Sequence, residues 1–248
     1  RRTVLVQCWH NPEGELSYIL RFLSERLGCS CGFWAKTCVK LAVMGMLLSR
    51  MEQEETDLAV LSGDFSGVLA GVYLKQMGFP VGKIICCCNE NNSPWELVHL
   101  GQLRTDGVCE KTRTPLADVV LPMGLEHLLY CMGGPKPAVE YAKVSYMGLT
   151  YEPEQSLLRQ MQRALFVGVT SESRLTLTLT GVLKNYDCLL SPYTAILYAG
   201  VQDYRSKAGE NRRALLLSER SPEPDSDTIS ALLDVPGATV REYLNTGR

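Results

Sequence analysis

The sequence predicts an α/β domain, a three-layer arrangement with a parallel sheet between helices. Three observations carry this. First, Asp57–Leu61, Val68–Met77 and Lys83–Cys88 read in order as strand, helix and strand. Such a unit makes its strands parallel neighbours joined by a right-handed crossover. Second, both strands are apolar at nearly every position, which suits a sheet covered on both faces. Third, another such run, Ala214–Leu217, stands far downstream, so the sheet gathers strands from distant parts of the chain. The 248 residues are 46% hydrophobic and 21% charged. That suits a single domain over 1–248, large enough to bury its core without disulfides.

The elements follow in chain order. Thr3–Cys8 is a short β-branched run expected to be a strand, and Asn11-Pro12-Glu13-Gly14 has turn chemistry. Glu15–Leu27 has helical spacing, with Leu16, Ile19, Leu20, Leu23 and Leu27 on one stripe and Gly28 as its stop. Phe33–Met51 is a second helix, apolar nearly all round and therefore expected to be buried. Ser62–Gly67 is a loop of small residues. Gly78 ends the following helix, and Phe79-Pro80-Val81-Gly82 is a turn. Beyond Asn92 the pattern weakens. Pro94–Leu100 and Gly124–Cys131 read as short helices, and Met132-Gly133-Gly134-Pro135 breaks the chain. Pro153–Leu165 is an amphipathic helix, while Arg174–Leu183 alternates Leu and Thr and fits either a strand or a helix. Pro192–Ser206 is helical, and Asp225 or Ser226 caps a helix that runs through Leu233. There is no internal repeat.

Net charge is -2 and the basic residues are scattered, so no nucleic-acid footprint is expected. No apolar run approaches the ~20 residues that span a bilayer. No secretory leader is visible either, so the expected setting is cytoplasmic. Ten cysteines include three in a row, a spacing no disulfide framework would use. They read as reduced core thiols. Cys29-x-Cys31 and Cys86–Cys88 lack the two pairs a structural zinc site needs, so no metal is expected. His10, His99 and His127 read as surface or half-buried residues, and Glu52, Glu54 and Glu55 as a solvated helix end.

Ser62–Gly67 sits between a buried strand and a helix N-terminus. Unpaired amides and the positive end of the helix dipole make such a turn a phosphate site. Gly63 and Gly67 let backbone approach a ligand, and Ser62 and Ser66 add hydroxyls. Asp64 counts against a bare phosphate, and many such turns simply connect elements. The wider stretch is more specific. Ser62-Gly63-Asp64-Phe65-Ser66-Gly67-Val68-Leu69-Ala70-Gly71 is continued by Met77-Gly78-Phe79-Pro80 and Asn89-Glu90-Asn91-Asn92. It closely resembles threonine synthases, which have Ser-Gly-Asn-Phe-Gly, Leu-Ala-Gly, Gly-Leu-Pro and Thr-Asn-Glu-Asn-Asp in that order. Phe33-Trp34-Ala35-Lys36, Thr114-Pro115-Leu116-Ala117-Asp118, Leu125-Glu126-His127-Leu128-Leu129-Tyr130 and Ser191-Pro192-Tyr193-Thr194-Ala195 extend the resemblance more thinly. So does Leu217-Ser218-Glu219-Arg220-Ser221-Pro222, which stands where the family has a strand and Gly-Thr-Ala-His-Pro.

The resemblance implies the tryptophan-synthase-β-like fold of pyridoxal-phosphate (PLP) enzymes, fold type II, with PLP as cofactor. It implies that Ser62, Gly63, Asp64, Phe65 and Ser66 hold the cofactor phosphate and that Glu219 or Ser218 faces the ring nitrogen. The implied activity is a lyase converting O-phosphohomoserine and water to threonine and phosphate. The family's catalytic lysine lies in a Phe-Lys-Asp segment, and no lysine of this chain is followed by Asp. No catalytic residue is therefore assigned. The chain reads as a fragment, completed by a missing N-terminal region, or as a degenerate copy. A reading of another class is an inactive homologue that binds a phosphorylated small ligand or a protein partner. A weaker third is a thiol or metal protein built on the cysteines. Asn89–Asn92 follow a strand's C-terminal end and read either as pocket lining or as a plain turn.

Overall fold

The structure, a computed structural model, describes residues 32–51 and 54–246. The expected Thr3–Cys8 strand and Glu15–Leu27 helix lie outside those residues.

The centre is a four-stranded parallel sheet of β1 (Thr56–Leu61), β2 (Val81–Cys88), β5 (Leu165–Val169) and β6 (Ala214–Leu216), in the order β5-β2-β1-β6. A small antiparallel pair, β3 (Leu103–Arg104) with β4 (Thr150–Tyr151), stands apart. The sheet is apolar on both faces because both are covered. Leu58, Val60, Ile84, Cys86 and Val167 enter the core on one side. Ala59, Leu61, Ile85 and Cys87 enter the core on the other. Alternate strand residues point to opposite faces, so each strand feeds two cores. Burying each Ile or Leu stabilises the fold by roughly 1.5–3 kcal/mol.

The first face is covered by α2 (Ser66–Gln76), with α1 (Phe33–Ser49) packed on α2. Small residues let α2 sit close: a Cβ on Gly67 would lie 3.2 Å from Val60, and one on Gly71 3.2 Å from Ile84. The second face is covered by α7 (Pro192–Ala208), with α6 (Glu172–Tyr186) packed on α7. Here Gly200 makes room for sulfur, since its Cβ would come within 2.5 Å of Cys87 Sγ. The other helices of eight residues or more are α3 (Leu125–Gly133), α4 (Pro135–Tyr146), α5 (Gln155–Ala164), α8 (Ser226–Leu233) and α9 (Gly237–Thr246). No described helix is long and apolar enough to cross a membrane.

Of the two readings open for Arg174–Leu183, the helix is the one found, within α6. Leu175, Leu179 and Val182 are buried at helical spacing, and Thr176, Thr178 and Thr180 bond back to carbonyls four residues earlier. The expected Pro153–Leu165 helix ends at Ala164, and the next five residues are strand β5, which the sequence reading missed. Helix α1 is not buried all round, for Val39 is 63% and Met46 49% exposed. Cys38, Cys109 and Cys188 are exposed and so are not core thiols, whereas Cys86, Cys87 and Cys88 are buried and free.

The N-terminal end of the sheet carries its own charge cluster. Asp57, with a side chain only 2% exposed, accepts a 2.7 Å bond from Lys83 N and faces Arg212 Nη1 at 3.8 Å. Arg212 also pairs with Glu55 and Glu210.

Candidate functional site

All four strand C-termini of the main sheet open on one edge, the position where open α/β sheets bind ligands. The loop after β1 lies there. Ser62 N donates to Cys87 O, which fixes the start of the loop beside β2. Phe65 has a left-handed backbone at φ 64°, and its N–H closes the turn onto Ser62 O at 2.8 Å. A left-handed bulky residue is uncommon and costs conformational energy. The bend aims Asp64 at the start of α2. Gly63, also at positive φ, passes against the backbone of Leu116. The Asp64 carbonyl accepts Gly124 N at 2.9 Å, and no side chain fits at Gly124, whose Cβ would meet Phe33 and Asp64 O under 3 Å. The Phe33, Ser62, Thr114 and Leu125 segments are thus brought to one place.

The chemistry of the loop is set by Asp64. Its Oδ1 accepts the Ser66 amide at 3.0 Å and also the Ser66 hydroxyl. Its Oδ2 lies 3.3 Å from Lys36 Nζ, and Lys40 Nζ lies 4.0 Å from Oδ1. Lys40 reaches across the edge to Glu219 Oε1 at 2.6 Å. Burial works to raise the Asp64 pKa. The two Ser66 bonds and the charges of Lys40 and Lys36 outweigh it, and the pKa is lowered. Asp64 is therefore an anion at neutral pH, seated on the helix N-terminus with two cations around it. Ser218 lies in a different chain of bonds, with its Oγ 2.7 Å from Thr194 Oγ1, which in turn is 2.9 Å from Ser191 Oγ. Ser191 caps α7 by accepting Thr194 N. The hydroxyl of Ser62 is fully buried with no hydrogen-bond partner among the described residues.

Lys36 and Lys40 are the charged partners of the loop that sequence reasoning missed. They sit four apart on α1, one turn of a helix, but nothing local told which carboxylate they face. The Asn89–Asn92 stretch is neither an open pocket wall nor a plain turn. Asn89 Nδ2 donates to Asp118 Oδ1 at 2.6 Å and to Thr112 Oγ1 at 2.9 Å. Asn91 exchanges bonds with the backbone of Glu110. Asp118 Oδ2 accepts Thr112 N at 2.9 Å. The buried amides thus tie the 110–118 segment to the end of β2, and that segment supports Gly63. Among the described residues no group of three or more His, Cys, Asp or Glu side chains is placed to hold a metal.

The site can be tested for fit to a phosphorylated cofactor. A phosphate at this helix start would need the Ser66 donors and the lysine charges, and Asp64 holds both. A dianion beside an ionised carboxylate is repelled. Lys40 reaches both the loop and Glu219, and its amine is engaged by their carboxylates. The residues present, as arranged, do not fit PLP.

No family model matches the chain. Threonine synthase-like 1 of Pongo abelii is 24% identical over 144 residues, 56% of this chain and 19% of that protein. Threonine synthase of Eremothecium gossypii is 34% identical over 71 residues, 29% of this chain and 14% of that protein. Among solved structures, PLP-bound threonine synthase from Brucella melitensis superposes with a TM-score of 0.75 at 20% identity, over 91% of this chain and 49% of that one. The chain thus spans about a fifth of the length of that curated relative and about half of that solved structure. In sequence over part of its length the chain is similar to threonine synthases, and in fold, an α/β protein with a parallel sheet between helices, it shares over most of its length the architecture of their solved structures, PLP fold type II.

Proposed function

We propose that this chain is a non-catalytic relative of threonine synthases, which keeps the scaffold and acts by binding a protein partner rather than by turning over a phosphorylated amino acid. One observation carries the reading. The helix start that would receive a cofactor phosphate is filled by Asp64, and Lys40 ties that carboxylate to Glu219. Among the described residues the site is neutralised from within, and the two amines beside the loop, those of Lys36 and Lys40, are both paired with carboxylates. The exposed apolar run of Tyr146, Met147 and Leu149 supports a protein partner. The buried free thiols Cys86–Cys88 support a reducing, cytoplasmic setting.

The lyase reading, O-phosphohomoserine and water to threonine and phosphate, is the alternative. It rests on the fold shared with a PLP-bound threonine synthase. It requires an amine other than the ion-paired Lys36 and Lys40. Visible absorption of the purified chain titrated with PLP, before and after borohydride, separates the readings. The expected result is no reducible band and no saturable binding. A pyridoxyl group trapped on one lysine would sink the non-catalytic reading. Saturable binding without a trapped group would replace the protein partner with a phosphorylated small ligand.

A further inference from the structure

A cleft of about 270 Å³ lies at the other end of the sheet from the Ser62 loop, round the outer edge of β5. β5 is the last strand on that side, so no strand among the described residues pairs with its outer edge. Leu165 turns to one core and Phe166 to the other, and both line the cleft. Lys83 of β2, Tyr204 of α7 and Gln162 near the end of α5 line it as well. A further wall is His99, which sits on a π-helical turn, Glu96–Leu100, closed by Gly101 N on Glu96 O. Such turns are rare and recur at functional sites. This one stacks His99 on Trp95, with ring centroids 4.8 Å apart and 18° between the planes. It also stands the imidazole edge-on to Phe166 at 6.3 Å.

We propose that this cleft binds a small planar aromatic acid, its ring against Leu165, Phe166 and His99 and its carboxylate on Lys83. The space suits such a ligand. A cavity of about 150 Å³ holds benzene, so the cleft has room for a ring and its acid group. The charges select an anion. Among the described residues no carboxylate lines the cleft, whereas Lys83 does, and Lys207 Nζ stands 5.4 Å from the centre of the Phe166 ring. Lys83 Nζ donates to Arg163 O at 2.7 Å and to Gln162 O at 3.4 Å. An ammonium has three protons, so one is left for a ligand. Burial and the charge of Lys75 lower the Lys83 pKa, and an anion on that proton supplies what the lost water does not. The other polar groups hold the walls. Tyr204 donates to Glu210 Oε2 at 3.2 Å, and Gln162 Nε2 donates to Val98 O at 2.9 Å. The rings favour a flat ligand, since aromatic pairs gain from edge and offset contact beyond the area they bury.

The test is equilibrium dialysis of the full chain with naphthoate, and with naphthylmethanol as the same ring without the charge. Naphthoate binds saturably at a single site, and the alcohol binds at least about tenfold more weakly, the scale of one hydrogen bond to a charged group. Lys83→Met keeps the apolar stem. It weakens naphthoate by about the same factor and leaves the alcohol unchanged, while Lys83→Arg, which keeps a cation, holds naphthoate within about threefold. Lys83 also ties down the end of α5, so Lys207→Met, at an exposed position, is measured beside it and weakens naphthoate about threefold. Absence of saturable binding overturns the proposal. So does an alcohol that binds as tightly as the acid, or naphthoate binding that ignores both lysine substitutions. Equal weakening by Lys36→Met, beside Asp64 at the opposite end of the sheet, would place the acid at the wrong edge and overturn it too.

Discussion

Two aspartates at opposite ends of β1 carry the same functional group into opposite situations. Asp57, at the N-terminal end, is closed in by packing, with its Arg212 partner 3.8 Å away and one backbone N–H bond. Burial is the largest influence on it, and its pKa is raised despite Lys83 N and Arg212. Asp64, at the C-terminal end, is 27% exposed and accepts two bonds from Ser66 beside two lysines, and its pKa is lowered. The first carboxylate is held by geometry against its electrostatic interest. The second is held by charge, in the manner of a bound ligand. Packing governs the end that builds the sheet, and polar compensation governs the end where a ligand would sit.

That contrast can be broken most forcefully at Gly82. A Cβ there would lie 2.4 Å from Asp57 Oδ1 and 2.9 Å from Arg212 Nη1. Gly82→Ala must push a buried carboxylate off its partners, with a cost of about 3 kcal/mol, read by urea denaturation. A cost under ~0.5 kcal/mol, the scale of an ordinary surface change, would show the lower cluster to be as yielding as the upper one.

The second test frees the upper anion position. Asp64→Asn removes the negative charge but leaves Lys36 and Lys40 in place. Inorganic phosphate then raises the melting temperature of the variant and leaves the unaltered chain unchanged. A phosphate effect of equal size in both proteins would mean that Asp64 does not hold the cradle closed.

The pH dependence of stability sharpens the comparison further, with opposite signs at the two ends. The ordinary carboxylate pKa in the unfolded chain is 3.8. Asp64 has a lower folded value, so its contribution is present above 3.8 and is lost as pH falls through that value. Asp57 has a raised folded value, so the contribution of its protonated form is present below 3.8 and is lost as pH rises through that value. Denaturation of Asp64→Asn should lose stability less steeply than the unaltered chain below pH 3.8, and Asp57→Asn less steeply as pH rises from 3.8. Identical slopes in both variants would remove the distinction.

The smallest effect is expected at Lys40→Met. The Lys40–Glu219 pair is part exposed, and ion pairs of that kind are worth about 1 kcal/mol or less. A loss beyond ~2 kcal/mol would show that the pair is a main support of the upper edge rather than a charge balance.

The regions that were legible in the sequence are those where one physical signal dominates. β1, α2 and β2 were readable because strands fed from two cores are apolar at every position. Strand β5 was not, because Leu165–Val169 follows α5 without a break, and its apolar run reads as the tail of the helix. Helix α6 hid behind alternating Leu and Thr. Thr satisfies its hydroxyl on the helix's own carbonyls, so a period of two persists in a helix, and Leu177 is left exposed. The loop at Ser62–Gly67 was visible as a turn of small residues. Its counter-charges were not, since Lys40 lies 179 residues from Glu219 and the pair exists only once β6 has joined the sheet.

The hollow at Gly200 has a bearing on how this protein can change over generations. Position 200 lacks a side chain because position 87 carries a sulfur atom. Volume is shared between the two, and neither residue can be altered freely while the other stays as it is. Gly200→Ala is expected to be harmful alone and tolerated beside Cys87→Ala, which removes the sulfur and leaves a Cβ at an ordinary 3.5 Å, so the two sites should drift as a linked pair across lineages that keep this sheet.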